Sequence, residues 1–83
     1  MQTYTVIVDE YKTVRWYDNK NQLHRLEGPA IEHANGYKAW FVEGKLHRLD
    51  GPAIEYANGD KEWYVEDKEL TEEEFKAHKL VKA

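Results

Sequence analysis

Hydrophobic and polar residues alternate in two nearly identical runs, "AIEHANGYKAWFV" from Ala30 to Val42 and "AIEYANGDKEWYV" from Ala53 to Val65. An Asn-Gly pair divides each run. Period-two alternation on both sides of Asn-Gly predicts a β-hairpin, because a two-residue type I′ turn needs positive φ at both central positions and these residues accept it. With Asn58-Gly59 as the loop, Ala57 faces Asp60, Tyr56 faces Lys61, Glu55 faces Glu62 and Ile54 faces Trp63. Successive side chains point to opposite faces, so Pro52, Ile54, Tyr56, Lys61, Trp63 and Val65 share one side. The same register sets Ile31 against Trp40 and, in an earlier stretch, Ile7 against Trp16. Three such Ile–Trp pairs, each worth about 0.2–1 kcal/mol across strands, form the predicted core.

The runs sit inside a longer repeat. "LHRLEGPAIEHANGYKAWFVEGK" (Leu23–Lys45) is followed directly by "LHRLDGPAIEYANGDKEWYVEDK" (Leu46–Lys68), and a degenerate copy over 4–22 precedes them. A single hairpin cannot bury its own apolar face, and three stacked copies are the usual minimum for a continuous core. The predicted fold is therefore mainly β: an antiparallel meander sheet of about six strands, built from three hairpin repeats in one domain spanning 1–83. Glu43-Gly44 and Glu66-Asp67 read as the turns at the opposite end of each hairpin. Gly51-Pro52 bends the returning strand, since Pro removes a ladder donor. Arg48 and Asp50, and likewise Arg25 and Glu27, sit two apart on one side of the chain and are expected to pair. The first hairpin has "DEYK" in place of Asn-Gly. Its second face, with Val6, Val8 and Tyr17, is also apolar and calls for a cover.

After Lys68 the period changes. Thr71 and Glu74 form a capping box, with Leu70 and Phe75 in the hydrophobic-staple positions. Glu72, Glu73 and Glu74 suit a helix start, and Lys76, Lys79 and Lys82 its end. These predict a short C-terminal helix over about 72–82, with Ala77, Leu80 and Val81 as its apolar stripe, covering a face or an edge of the last repeat.

Composition narrows the function more than the fold. The 83 residues include three Trp, six Tyr and two Phe, enough aromatic area to carry much of a small core. No cysteine is present, so neither disulfides nor Cys-based zinc is available. A formal charge of −4 lacks the basic surplus of a general nucleic-acid binder. "MQTYTVIVDEYK" carries no signal-peptide pattern and no apolar run approaches a membrane span; a cytoplasmic protein is expected.

Candidate chemistry is sparse. His24 and His47 occupy equivalent repeat positions, but zinc needs about four ligands and too few others converge; a packed, hydrogen-bonded role is the expectation. His33, His78 and the glutamates form no nucleophile–base–orienter set, the chain has no serine, and no phosphate-binding glycine loop occurs. No enzyme, cofactor or metal is expected. Glu55 opposite Glu62, with Asp60 at the hairpin tip, breaks the rule against facing like charges, unless Arg48 or a lysine bridges them. In the middle repeat the corresponding face carries Glu32, Tyr37, Ala39 and Phe41. Aromatics favour interface hot spots, so Glu55, Asp60, Glu62, Tyr37, Phe41 and Tyr64 are the candidate partner-binding residues.

The units "GPAIEYANGDKEWYVEDK" and "LHRLDGPA" resemble MORN-type repeats, in length, in the early glycine and in the aromatic hairpin. They are also similar to short phage-encoded repeat proteins that end, as here, in "ELTEEEF". The likeness implies a repeat β-sheet scaffold or interaction module without a catalytic motif. The expected function is a non-enzymatic protein-binding module using a sheet face or strand addition at an edge. On the phage likeness, it is an inhibitor or modulator of a bacterial host protein such as a defence (CRISPR-type) nuclease, in the host cytoplasm. Two other classes stay open. One sequesters a signalling nucleotide between subunits, with His24-Arg25 and His47-Arg48 as phosphate donors. The other is a structural protein whose open edges pair into a homo-oligomer. Neither nucleic acid nor membrane is an expected direct partner.

Overall fold

The structure is a computed structural model that describes residues 4–82, with side chains as far as Ala77. It is mainly antiparallel β. The strands are β1 (Thr5–Val8), β2 (Val14–Tyr17), β3 (Ile31–Glu32), β4 (Lys38–Ala39), β5 (Phe41–Val42), β6 (Lys45–Leu46), β7 (Ile54–Glu55), β8 (Lys61–Val65) and β9 (Lys68–Leu70); helix α1 spans Glu72–Lys82. Seven strands form one sheet in the order β1-β2-β3-β4-β7-β8-β9, and β5 pairs β6 separately. The strands are shorter and more numerous than the six expected, because each hairpin arm is interrupted where one repeat hands over to the next.

The turns correct the expected register. Tyr56 N–H donates to Asp60 O (2.8 Å) and Gly59 N–H to Tyr56 O (2.9 Å), so the loop has three residues, Ala57-Asn58-Gly59. Only Gly59 is left-handed (φ +96°); Asn58 instead accepts the Asp60 N–H on Oδ1 at 2.9 Å. This is a type I turn closed by one left-handed residue. The side-chain bond holds Asn58 at negative φ, which removes the primed turn expected there. His33–Tyr37 repeats the geometry, with Gly36 at φ +104°, and so does Asp9–Thr13, with Lys12 at φ +67°. The two-residue loops with positive φ at both positions lie at the other hairpin ends, Glu43-Gly44 and Glu66-Asp67.

One extra loop residue shifts each pairing by one, and a shift of one exchanges faces. Ile54 pairs Glu62, Glu55 pairs Lys61, Ile31 pairs Ala39 and Val6 pairs Trp16. The expected Ile–Trp pairs do not form. Instead Trp16 N–H donates to Ala30 O, Ala30 N–H to Ala39 O, Trp40 N–H to Ala53 O and Ala53 N–H to Glu62 O, all at 2.8 Å. Continued through these bonds, the register lines up Trp16, Ala30, Trp40, Ala53 and Trp63 in one row of alternating large and small side chains. Ala30 and Ala53 are fully buried beside the rings. On the other face Ile31, Ala39 and Ile54 form the second row, with Ala39 and Ile54 buried. Ile7, expected in the core, is 49% exposed. Pro52, Ile54 and Tyr56 therefore lie opposite Lys61, Trp63 and Val65 rather than beside them.

Helix α1 begins as its sequence dictates. Glu74 N–H donates to Thr71 Oγ1 (3.1 Å) and Thr71 N–H to Glu74 Oε1 (2.9 Å), the reciprocal capping box. Phe75, 4% exposed, meets Trp63 at 6.5 Å between ring centroids. The helix thus packs on β8 and β9 and ends the tryptophan row. Ala77 is exposed rather than part of a buried stripe. The side chains of Lys79, Leu80, Val81 and Lys82 lie outside the described residues.

Candidate functional site

The face bearing the tryptophans joins the repeats. Arg25 stacks its guanidinium on Trp16 and Arg48 on Trp40, each 3.8 Å from the ring centroid. Each Arg then donates from Nη1 to a proline carbonyl, Pro29 at 3.2 Å and Pro52 at 3.0 Å. The neighbouring glycine makes room: a Cβ on Gly28 would sit 3.0 Å from Arg25 Cζ, and one on Gly51 2.9 Å from Arg48 Cζ. The histidines complete the joint. Glu43 N–H donates to His24 Nδ1 (2.9 Å) and Glu66 N–H to His47 Nδ1 (3.0 Å), tying each connector to the next primed turn. The "HRLxGPA" motif is accounted for by this seam, apart from its leucine. Leu26 and Leu49 are exposed and, with Arg25, Trp40, His47 and Arg48, line an open groove of about 760 Å³.

The two arginines differ in their acids. Arg48 binds Asp50 (3.0 Å) and Glu55 (3.3 Å). The matching Arg25–Glu27 pair expected from spacing does not form among the described residues. Of the donors anticipated for a phosphate, Arg48 is committed to Asp50, Glu55 and Pro52 O, and Arg25 to Pro29 O, while each histidine uses Nδ1 as an acceptor.

The opposite face carries tyrosines around Glu62, with Glu69 paired opposite Tyr64. Glu62 accepts hydrogen bonds from Tyr56 Oη (3.1 Å) and Tyr64 Oη (3.3 Å). Tyr37 packs edge-on against Tyr56 at 5.7 Å, and His33 lies 5.0 Å from Tyr37. His33 Nδ1 is 2.8 Å from Thr13 Oγ1, which anchors the near end of the stripe. The type I turns produce this arrangement: with three-residue loops, His33 and Tyr37 pair, Tyr56 and Asp60 pair, and all four project on the Ile54 face. Partial burial pushes the phenols of Tyr37, Tyr56 and Tyr64 above the ordinary 10.0, and the Glu62 charge adds to the shift. These tyrosines are neutral donors under all ordinary conditions.

The expected partner-binding residues divide between the faces. Tyr37, Glu62 and Tyr64 come together in the tyrosine stripe, and Asp60 stands at its hairpin tip. Glu55 lies on the tryptophan face, opposite Lys61 and bound to Arg48. The facing Glu55–Glu62 pair is thus absent; charges alternate instead along Glu32, Lys38, Glu55 and Lys61. Phe41 pairs Leu46 in the small sheet, half-buried. Tyr56 and His33 belong to the stripe but were not expected there. Their signal was the loop length, hidden by the ambiguity of Asn-Gly between two- and three-residue turns.

Among the described residues no three His, Asp or Glu side chains gather as metal ligands, and no helix is long and apolar enough to cross a membrane. No family model, curated protein or solved structure matches this chain.

Proposed function

We propose that this chain is a non-enzymatic protein-binding module that presents the Tyr37–Tyr56–Glu62–Tyr64 face to a partner. The observation that carries the reading is that stripe itself: three phenols share one face with a carboxylate that orients two of them, and Tyr56 at its centre is 37% exposed. Rigid tyrosines offer large contact area with little rotamer entropy to lose, and they are favoured at binding hot spots. The likeness of the repeat to phage-encoded proteins directs the search to bacterial host proteins, defence nucleases first, in the cytoplasm. Glu62 and Asp60 give the face an acidic character suited to a basic groove on such a target.

The test is capture from bacterial lysate on the immobilised wild-type chain, identification of the bound protein, and measurement of its affinity for variants. Tyr56→Ala should weaken binding by roughly 30-fold, and Glu62→Lys should weaken it with a marked salt dependence. Glu55→Lys, on the other face, should leave it unchanged. Equal affinities for wild type and Tyr56→Ala would remove the tyrosine face from the reading.

A further inference from the structure

We infer that β1 pairs with β1 of a second copy, so that the working unit is a homodimer with one continuous sheet. β1 is an edge strand of the large sheet. Its sequence Thr5-Val6-Ile7-Val8 carries no charge and no proline, and Val6, Ile7 and Val8 are 44%, 49% and 58% exposed. Natural edge strands are normally blunted by lysine, proline, a bulge or a covering element; among the described residues this one has none of these.

The backbone shows which groups are free. Asp9 N–H donates to Thr13 O at 3.1 Å, which makes Asp9–Thr13 a hydrogen-bonded pair. In an antiparallel ladder such pairs alternate with non-bonded ones. Ile7–Arg15 and Thr5–Tyr17 are therefore bonded pairs, and Val6–Trp16 and Val8–Val14 are not. Trp16 agrees, since its N–H and C=O are engaged by Ala30 and His24 on its far side. The N–H and C=O of Val6 and Val8 consequently point away from the molecule, four backbone groups spaced as a ladder.

This edge is complementary to itself. About a two-fold axis through Ile7, Val6 bonds the partner subunit's Val8 and Val8 bonds the partner subunit's Val6, using all four groups. Ile7 meets the partner subunit's Ile7 at the axis in a close non-bonded pair, and Thr5 lies opposite the partner subunit's Asp9. Every apolar residue faces an apolar residue and no like charges oppose. That local neutrality, in a chain of net charge −4, favours a second copy over an acidic or basic strand. The far edge, β9, carries Lys68 and Glu69 and is packed by α1. With one end open and one covered, pairing closes at two subunits and does not propagate. Ile7 shares the face of Arg15 and Ile31, so the dimer sets two tyrosine faces side by side in one plane.

Sedimentation velocity and light scattering over a wide concentration range test this. Wild type should show twice the 9.9 kDa chain mass and dissociate on dilution. Ile7→Lys and Ile7→Glu should each be monomeric, with the Tm of wild type diluted to monomer and unchanged near-ultraviolet circular dichroism. Their equimolar mixture should dimerise, because Lys then meets Glu at the axis. Should either variant lower Tm further, Val8→Pro serves instead, since it removes an outward N–H without touching a β2 bond. A wild type monomeric at every concentration overturns the proposal, as does a Val8→Pro or Ile7→Lys variant that dimerises like wild type. Single variants that stay monomeric when mixed overturn the Ile7 axis.

Discussion

On the tryptophan face each ring is closed by a residue of the same chain: Trp16 by Arg25 and by Tyr4 edge-on at 5.0 Å, Trp40 by Arg48, and Trp63 by Phe75 of α1. On the tyrosine face the rings meet, among the described residues, each other, His33 and Glu62, with Glu69 paired opposite Tyr64, and the centre of the stripe stands exposed. Both faces are equally aromatic, so aromatic content does not separate them. Closure does. A ring already stacked by an arginine and flanked by buried alanines has one face committed within the chain, whereas a phenol oriented by a carboxylate has its face and edge still available. If the proposed function holds, stability and recognition fall on opposite sides of one thin sheet, and variants should separate them.

The largest effect should come from Trp40→Ala. Trp40 lies between Ala30 and Ala53 in the central row and supports Arg48. Its loss should cost about 3 kcal/mol, the low end for truncating a Trp because the ring is only half-buried. For a domain of this size Tm should fall by roughly 12–24 °C. Tyr56→Ala should cost far less stability while weakening binding of the proposed partner. If the two variants destabilise equally, the division of labour between the faces is lost.

Glycine substitutions sharpen the same contrast at equivalent positions. Gly51→Ala places a methyl 2.9 Å from Arg48 Cζ, so the guanidinium must shift over Trp40 and weaken its bonds to Pro52 O, Asp50 and Glu55. About 1–2 kcal/mol is expected, chiefly the cation–π contact and its attached hydrogen bonds. Gly28→Ala meets Arg25, which has no ion pair with Glu27 to lose, and should cost about half as much. Thermal melts of the two variants would check the ranking; Gly28→Ala costing more would mean that the acids around Arg48 contribute nothing.

Much of this was legible in the residues. The 23-residue repeat, the reversals at both hairpin ends and the capped helix all follow from local chemistry: Asn-Gly, Glu-Gly, and Thr71 with Glu74. The row partners did not follow, because Asn-Gly supports two loop lengths and one residue of loop decides which face every side chain takes. The buried alanines of "GPA" were passed over for the same reason. In the two-residue-loop register Ala30 faces Phe41 and Ala53 faces Tyr64, and in the observed one both fill the gaps between tryptophans. The arginine seam needed coordinates, since a guanidinium above a ring of the preceding repeat leaves no periodic trace. Residue type points to Tyr37 and Tyr64, and the expected pairing with Glu55 points to Glu62; the turns add Tyr56 and move Glu55 to the other face.

Acid should loosen the tryptophan face first. Asp9 and Asp18 hold the two turns of the hairpin that carries Trp16. Asp9 accepts the Thr13 and Tyr11 N–H groups, and Asp18 those of Gln22 and Lys20. Those N–H groups, led by Thr13 and Gln22, hold both carboxyls below the ordinary 3.8. A depressed carboxyl contributes stability that is complete above its unfolded value and disappears as pH falls through the folded one. Tm should therefore decline from about pH 5 downward. Asp9→Asn with Asp18→Asn keeps the acceptor oxygens without the titration and should flatten that decline. An acid limb of unchanged slope would place the sensitive carboxyls elsewhere.

Base acts on the tyrosine face, and here the effect is smallest. Burial first, and then the Glu62 charge, raise the phenols of Tyr37, Tyr56 and Tyr64 above 10.0. A raised phenol favours the fold fully below its unfolded value, and that contribution is lost as pH climbs through the folded one. Glu62→Gln keeps an acceptor oxygen for Tyr56 and Tyr64 but removes the charge that opposes ionisation. Tyrosinate absorbance should then appear at lower pH for these three residues. Because burial is the larger cause, the shift should be partial, leaving the three phenols still above the ordinary value. A complete return would mean that the charge, and not the packing of the stripe, sets their chemistry, and that the tyrosine face is looser than its contacts imply.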